Sequence, residues 1–186
     1  MNKGIFTIIL AVIVVILMWA IATFNALVRL RNLVKEGWSG IDVQLKRRHD
    51  LIPNLIETVK GYKGYEEKVL TEVTQLRAQA ASTDDVKQRG VLESALSGKI
   101  ANIMAVAENY PDLKASESFI NLQKNLTDIE DQIQLARRYY NGTARELNTK
   151  IQSFPSLIVA MLTGFKSVDY FEITDNTERA VPEVKF

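Results

Sequence analysis

Apolar residues recur every three or four positions along most of this chain, and the departures from that period divide it. Residues 5–24, IFTIILAVIVVILMWAIATF, carry no charge on any face. At 1.5 Å per residue a helix of that length covers about 30 Å, the thickness of a bilayer's hydrocarbon core. Ile5, Ile9, Val12, Ile16, Trp19 and Phe24 therefore mark a membrane anchor, with Trp19 and Phe24 toward one interface. A cleaved leader would share the basic Lys3 and the small residues Ala20 and Ala22. The apolar run outlasts a leader's, however, and Arg29 and Arg31 follow directly.

From Trp38 the three-four period is sustained. Trp38, Ile41, Leu45, Ile52, Leu55, Val59, Tyr62, Val69, Val73, Leu76 and Ala80 form a heptad-like seam, interrupted at Arg48 and Glu66. Gly61 and Gly64 weaken it. ASTDD, residues 81–85, reads as a turn in which Ser82 or Thr83 caps the next helix, with Asp84 and Asp85 in its first turn. That helix carries Val91, Leu92, Leu96, Ile100, Met104 and Val106, and NYPDLKAS, residues 109–116, ends it at Pro111. The cleanest amphipathic stripe follows: Phe119, Leu122, Leu126, Ile129, Ile133, Ala136, Tyr140, Ala144, Leu147 and Ile151. SFPSLIVAMLTGF then predicts a short apolar helix, capped near Ser153 or Phe154, started by Pro155 and ended by Gly164.

The expected fold is all-α: an N-terminal transmembrane helix, then an elongated antiparallel bundle of three long helices with one or more short C-terminal helices. The expected boundaries are a flank (1–4), the transmembrane helix (5–24), a juxtamembrane stalk helix (25–52), the bundle (53–172) and a tail (173–186).

RRHDLIPNLIETVKGY, residues 47–62, sets a proline in a helical pattern. Either Asp50 caps a fresh helix with Pro53 in its first turn, or one helix kinks at Pro53 and frees the carbonyl of His49. Both readings make the stretch a joint between stalk and bundle. Polar Arg48, Asn54 and Glu57 are matched in number and character by Glu130, Arg137, Asn141 and Asn148 on the last long helix. Arg48 paired to a carboxylate across the bundle would fix register for little net stability; a shared ligand or partner surface is the alternative.

Composition narrows the chemistry. With no cysteine among 186 residues, disulfides, thiolate metal sites and cysteine nucleophiles are excluded. His49 is the one histidine. Neither paired Glu-x-x-His motifs for two metals nor H-E-x-x-H for zinc is possible. A Ser-His-Asp arrangement would have to use His49, and no nucleophile elbow accompanies it. Glycine-rich phosphate loops are absent. The adjacent carboxylates Glu66 and Glu67, or Asp84 and Asp85, point about 100° apart on a helix. The expectation is a protein that is not an enzyme, with no catalytic, metal or cofactor site.

Charge adds orientation. Residues 1–35 hold Lys3, Arg29, Arg31 and Lys35 and no acid, which leaves the remainder of this +1 chain at −3. A mildly acidic body without a concentrated basic face is not expected to bind nucleic acid. Arg29, Arg31 and Lys35 outweigh Lys3, so the N-terminus is expected outside a bacterial cytoplasmic membrane and the bundle in the cytoplasm.

These motifs together resemble the LemA family of bacterial membrane proteins. The resemblance rests on RNLVKEGWSGIDVQLKRRHDLIPNLIETVKGY (31–62), ENYPDLKASESFINLQKNLTDIEDQI (108–133) and ARRYYNGTARELNTKIQSFPSLIVAMLTGFKSVDYFE (136–172). The chain departs from the family where members often show E-N-R-I and this one has Glu130, Asp131, Gln132 and Ile133. It departs again at Leu147-Asn148, where a second Tyr-Asn is common. The resemblance implies a single membrane helix, an antiparallel helical bundle and no established enzymatic activity. It also implies, for some members, a gene beside one for a membrane metalloprotease.

Two functions follow as expectations. The first is a membrane-tethered scaffold that self-associates into a homo-oligomer. Trp38 and Ile41, outside the expected bundle core, would form the contact, since the anchor lacks G-x-x-x-G. The second is an adaptor for another membrane protein such as a metalloprotease, recruited through the C-terminal Tyr170, Phe171, Val181, Pro182, Val184 and Phe186. In both, the lipid bilayer is a partner. An unrecognised enzyme would need a deep pocket with convergent polar groups.

Overall fold

In the computed structural model the described residues are 3–61 and 67–172, and every regular element among them is an α-helix. In chain order these are α1 (Lys3–Val59), α2 (Glu67–Ser82), α3 (Val86–Ala107), α4 (Pro111–Lys114), α5 (Glu117–Gln152) and α6 (Ser156–Leu162).

α1 runs unbroken through Pro53. Its buried positions are Thr23, Leu27, Val34, Gly37, Ile41, Leu45, Arg48, Ile52, Leu55 and Val59, spaced by threes, fours and one seven, with His49 buried beside this seam. Arg48 therefore occupies the seam instead of interrupting it. Asp50 is exposed in mid-helix, so the fresh helix that it was expected to cap does not form. The seam expected from Trp38 to Ala80 is carried by two helices, since α1 ends at Val59 and α2 begins at Glu67. Tyr62, Gly64 and Glu66 lie outside the described residues.

Asp85, not Ser82 or Thr83, caps α3: its carboxylate accepts from Gln88 N at 2.7 Å. The buried face of α3 is Gly90, Glu93, Leu96, Ile100, Ile103 and Ala107. Val91 faces out instead of in, at 59 % exposure. Leu96 and Ile100 are buried as expected, but two seam positions are a glycine and a glutamate, so apolarity alone finds only part of this face. α5 follows its expected stripe closely: each of those residues is buried except Ala136, which is half-buried. Pro155 itself is the N-cap of α6.

The chain divides into two compact units. The first comprises Met1–Ser39 and Arg138–Asp169. Here α1 and α5 approach closely at Gly37, where an added Cβ would lie 3.0 Å from the Tyr140 Cα. The Trp38 ring lies 5.5 Å from that of Tyr140. After α6, Gly164 turns the chain at φ +73°, a conformation that favours glycine, and Phe165 N donates to Ala160 O at 3.0 Å. The following segment is held to α5. Asn148 donates to Val168 O and accepts from Val168 N, both at 2.9 Å, and the Tyr140 hydroxyl donates to Asp169 O at 2.8 Å.

The second unit comprises Gly40–Arg137 and the chain from Tyr170 onward. Its core joins Ile52, Leu55 and Val59 of α1, Leu70 and Val73 of α2, and Leu96, Ile100, Ile103 and Ala107 of α3 to Leu113, Phe119 and Leu126. Each fully buried Leu or Ile of this set contributes about 1.5–3 kcal/mol of transfer free energy. Phe171 is completely buried, and the Glu172 carbonyl rests over Gly90.

Candidate functional site

The most concentrated polar chemistry of the second unit lies on the α1 seam. Arg48 is 1 % exposed, and Glu93, from α3, is fully buried. The Arg48 guanidinium reaches three acceptors: the Glu93 carboxylate, Glu130 Oε2 on α5 at 2.8 Å and Ser97 Oγ at 2.5 Å. A further hydrogen bond runs from Nη2 to the Glu93 carbonyl at 3.3 Å. His49 Nε2 lies 3.0 Å from Glu93 Oε1. Three helices are thus pinned at one level, since a guanidinium fork suits carboxylates on different elements.

Burial by itself would raise the Glu93 carboxyl pKa. The His49 hydrogen bond, the Arg48 charge, the His49 charge and the Arg48 hydrogen bond together outweigh it and leave the value below the ordinary carboxylate range. Glu93 is thereby held as an anion between Arg48 and His49. A general base needs an accessible substrate proton, and a carboxylate enclosed in this way meets none. The nearby groove of about 630 Å³, lined by Arg47, Asp50, Leu51, Asn125, Asp128, Ile129, Asp131 and Gln132, does not include Arg48, His49 or Glu93. Among the described residues no group of three His, Asp or Glu side chains is placed to hold a metal ion.

Beside this knot, Arg77 Nε of α2 donates to the His49 carbonyl at 2.7 Å. The other residues singled out for the joint do not converge on it. Pro53, Asn54 and Glu57 are exposed on α1. Arg137 is half-buried and donates to Gln134 Oε1 at 2.6 Å, and Asn141 is half-buried. The knot was half visible in sequence: Arg48 and Glu130 stood out, whereas Glu93 and Arg77 resembled ordinary helix-surface charges.

The expected interaction residues are corrected in part. Ile41 is fully buried, and Trp38 is half-buried against Tyr140, so neither forms an open seam for a second copy. Phe171 is fully buried and Tyr170 half-buried, which removes Phe171 from any recruiting surface. Phe186, with Val181, Pro182 and Val184, lies outside the described residues.

The first unit presents the opposite chemistry. Residues 4–19 of α1 are exposed throughout, and Ile5, Ile9, Val12, Ile16 and Trp19 have nothing apolar covering them. Phe24 is 40 % exposed and meets Phe165 edge-on at 6.0 Å. Arg29 and Lys35 are exposed, and the Arg31 guanidinium sits 5.1 Å above the Phe165 ring. This is one helix long and apolar enough to cross a membrane, with its apolar window wholly uncovered.

Residues 37–186 match the LemA family. Over 152 residues the chain is 30 % identical to Protein LemA of Metamycoplasma hominis, covering 81 % of this chain and 69 % of that one. It is also 24 % identical to magnetosome protein MamQ of Magnetospirillum gryphiswaldense, over 92 % of this chain and 74 % of MamQ. A MamQ protein of Paramagnetospirillum magneticum matches at 22 % identity, over 80 % of this chain and 64 % of its own length. The matched span takes in the α1 seam from Gly37 onward and the polar knot, and with the bare apolar helix before it the chain is a membrane-associated member of the LemA family.

Proposed function

We propose that this protein is a non-enzymatic, membrane-anchored helical scaffold that assembles with copies of itself at the bacterial cytoplasmic membrane. The observation that carries the reading is α1, whose bare apolar end continues without interruption into a seam packed as far as Val59. The N-terminus is outside and the helical body cytoplasmic, as Arg29, Arg31 and Lys35 direct. The body holds an enclosed ionic knot that fixes register. Relatives named Protein LemA and magnetosome protein share this sequence pattern, which suits a framework reused in different settings.

The mass of the full-length protein in mild detergent, measured by light scattering across a range of concentrations, tests the proposal. A defined multimer is expected. A monomer at every concentration would sink self-assembly. A second protein copurifying in fixed proportion would assign the adaptor role instead.

A further inference from the structure

The apolar surface of the first unit does not stop with the α1 span. Phe154, Leu157, Ile158, Met161 and Leu162 are exposed at the turn after α5 and on α6, Met161 at 73 % and Leu162 at 83 %. The other face of α6, formed by Ser156, Val159 and Ala160, is buried. Five large apolar side chains on one tip form a patch and not scattered singles.

The position of the tip identifies what covers it. Phe165 contacts Phe24, and Phe154, Pro155 and Ser156 line the same hollow as Trp19 and Thr23. The tip is therefore level with residues 19–24, the last part of the span. The bare stretch, residues 5–19, rises about 21 Å, and a hydrocarbon core of about 30 Å has to extend alongside the tip as well.

The tip's polar groups are closed off accordingly. Ser153 Oγ donates to Thr149 O at 2.7 Å, Ser156 Oγ to Lys150 O at 2.6 Å and Thr163 Oγ1 to Val159 O at 2.6 Å. The amides of Leu157, Ile158, Thr163, Gly164 and Phe165 all donate within the segment. Exposed Thr71 and Thr127 make the same bonds one turn back, so this closure permits burial in lipid without itself requiring it. Arg145, Glu146 and Lys150 line the hollow beside the tip, and Arg31 lies over Phe165, which places three cations against one carboxylate at headgroup level.

We propose that the α6 tip is a second membrane contact, a wedge seated at the headgroup–acyl boundary beside the span. The inference rests on reading α1 as a membrane helix. Because the chain has no cysteine, single-cysteine variants of the full-length protein report each level. Val12→Cys, Leu162→Cys and Ser39→Cys would each carry an environment-sensitive fluorophore in phosphatidylcholine–phosphatidylglycerol vesicles. Quenching would be read with shallow nitroxide lipids and with aqueous iodide. The Leu162 label is expected to be quenched several-fold more by the shallow nitroxide than the Ser39 label, and shielded from iodide at every protein-to-lipid ratio.

A Leu162 label as open to iodide as the Ser39 label, with the Val12 label deep, overturns the wedge and leaves the span. A water-exposed Val12 label overturns both. Shielding that disappears on dilution into excess lipid gives the face to a second copy and likewise overturns the wedge.

Discussion

Arg77 Nε donates a 2.7 Å hydrogen bond to the main-chain carbonyl of His49, the group that Pro53, four residues later, leaves without an amide donor. The proline therefore sits in an unbroken α1 because α2 supplies the missing proton. Replacing Arg77 by Met is expected to destabilise the protein by about 1–2 kcal/mol, as a charged donor is lost to a partly buried carbonyl. In a Pro53→Ala background the backbone amide returns, and the same change is expected to cost less than half as much. Urea unfolding of the four proteins in detergent closes this cycle; equal costs in both backgrounds would disconnect Arg77 from the proline.

Glu93 links stability to pH. Its folded-state pKa lies below the ordinary carboxylate value, so the unfolded chain takes up this proton first as the solution is acidified. The stability due to Glu93 is present in full above about pH 4.5 and is lost as the pH falls through the lower folded value. Glu93→Gln is expected to cost about 3 kcal/mol at pH 7, because Arg48 stays buried with only Glu130 as its carboxylate partner. The variant should also show a shallower fall in stability below pH 4.5 than the parent. Parallel pH profiles would refute the assignment.

The glycines separate into two classes. An added Cβ at Gly90 would stand 2.5 Å from the Glu172 carbonyl oxygen, and at Gly37 it would stand 3.0 Å from the Tyr140 Cα. At Gly40, Gly98 and Gly142 it would meet nothing within 4 Å. Gly40→Ala, Gly98→Ala and Gly142→Ala are each expected to stabilise by about 0.5–1 kcal/mol through helix propensity. Gly90→Ala and Gly37→Ala are expected to destabilise by about 1–3 kcal/mol through overpacking. Thermal midpoints of the five variants are the measurement, and a common sign across all five would contradict the packing.

Asn148 satisfies both backbone groups of Val168. Asn148→Ala is expected to free the segment after α6, with the Val168 amide exchanging at least tenfold faster in hydrogen-exchange measurements. A Tyr140→Phe change removes only the bond to Asp169 O and should have a smaller effect. Unchanged protection at Val168 in Asn148→Ala would show that other contacts hold the segment.

The helices were legible where apolar residues filled the seam. α5 followed its stripe because each of those positions is a Leu, Ile, Phe, Tyr or Ala. α3 was legible in part: Leu96 and Ile100 lie on its buried face as expected and Val91 does not, because Gly90 and Glu93 stand on that face, the one for a close backbone approach and the other for charge. The knot itself was partly visible: Arg48 on an apolar seam demanded a carboxylate, and Glu130 was among the candidates. Glu93 carried no such signal, since one glutamate on a helix resembles any other until its face is known. The same holds for Trp38, Ile41 and Phe171, whose neighbours come from residues distant in sequence.

The point at which α1 becomes covered also sets a preference for bilayer thickness. Only residues 5–19 are clad in lipid-facing side chains on all sides, and beyond them Thr23 and Leu27 are already buried. A helix bare over about 21 Å falls short of a core of about 30 Å, and the α6 wedge is what makes up the difference; without it each ångström of mismatch would cost a fraction of a kcal/mol in local thinning or tilt. With α6 withdrawn from the lipid the protein would favour the thinnest membrane; with α6 seated it carries its own match to a bilayer of ordinary thickness.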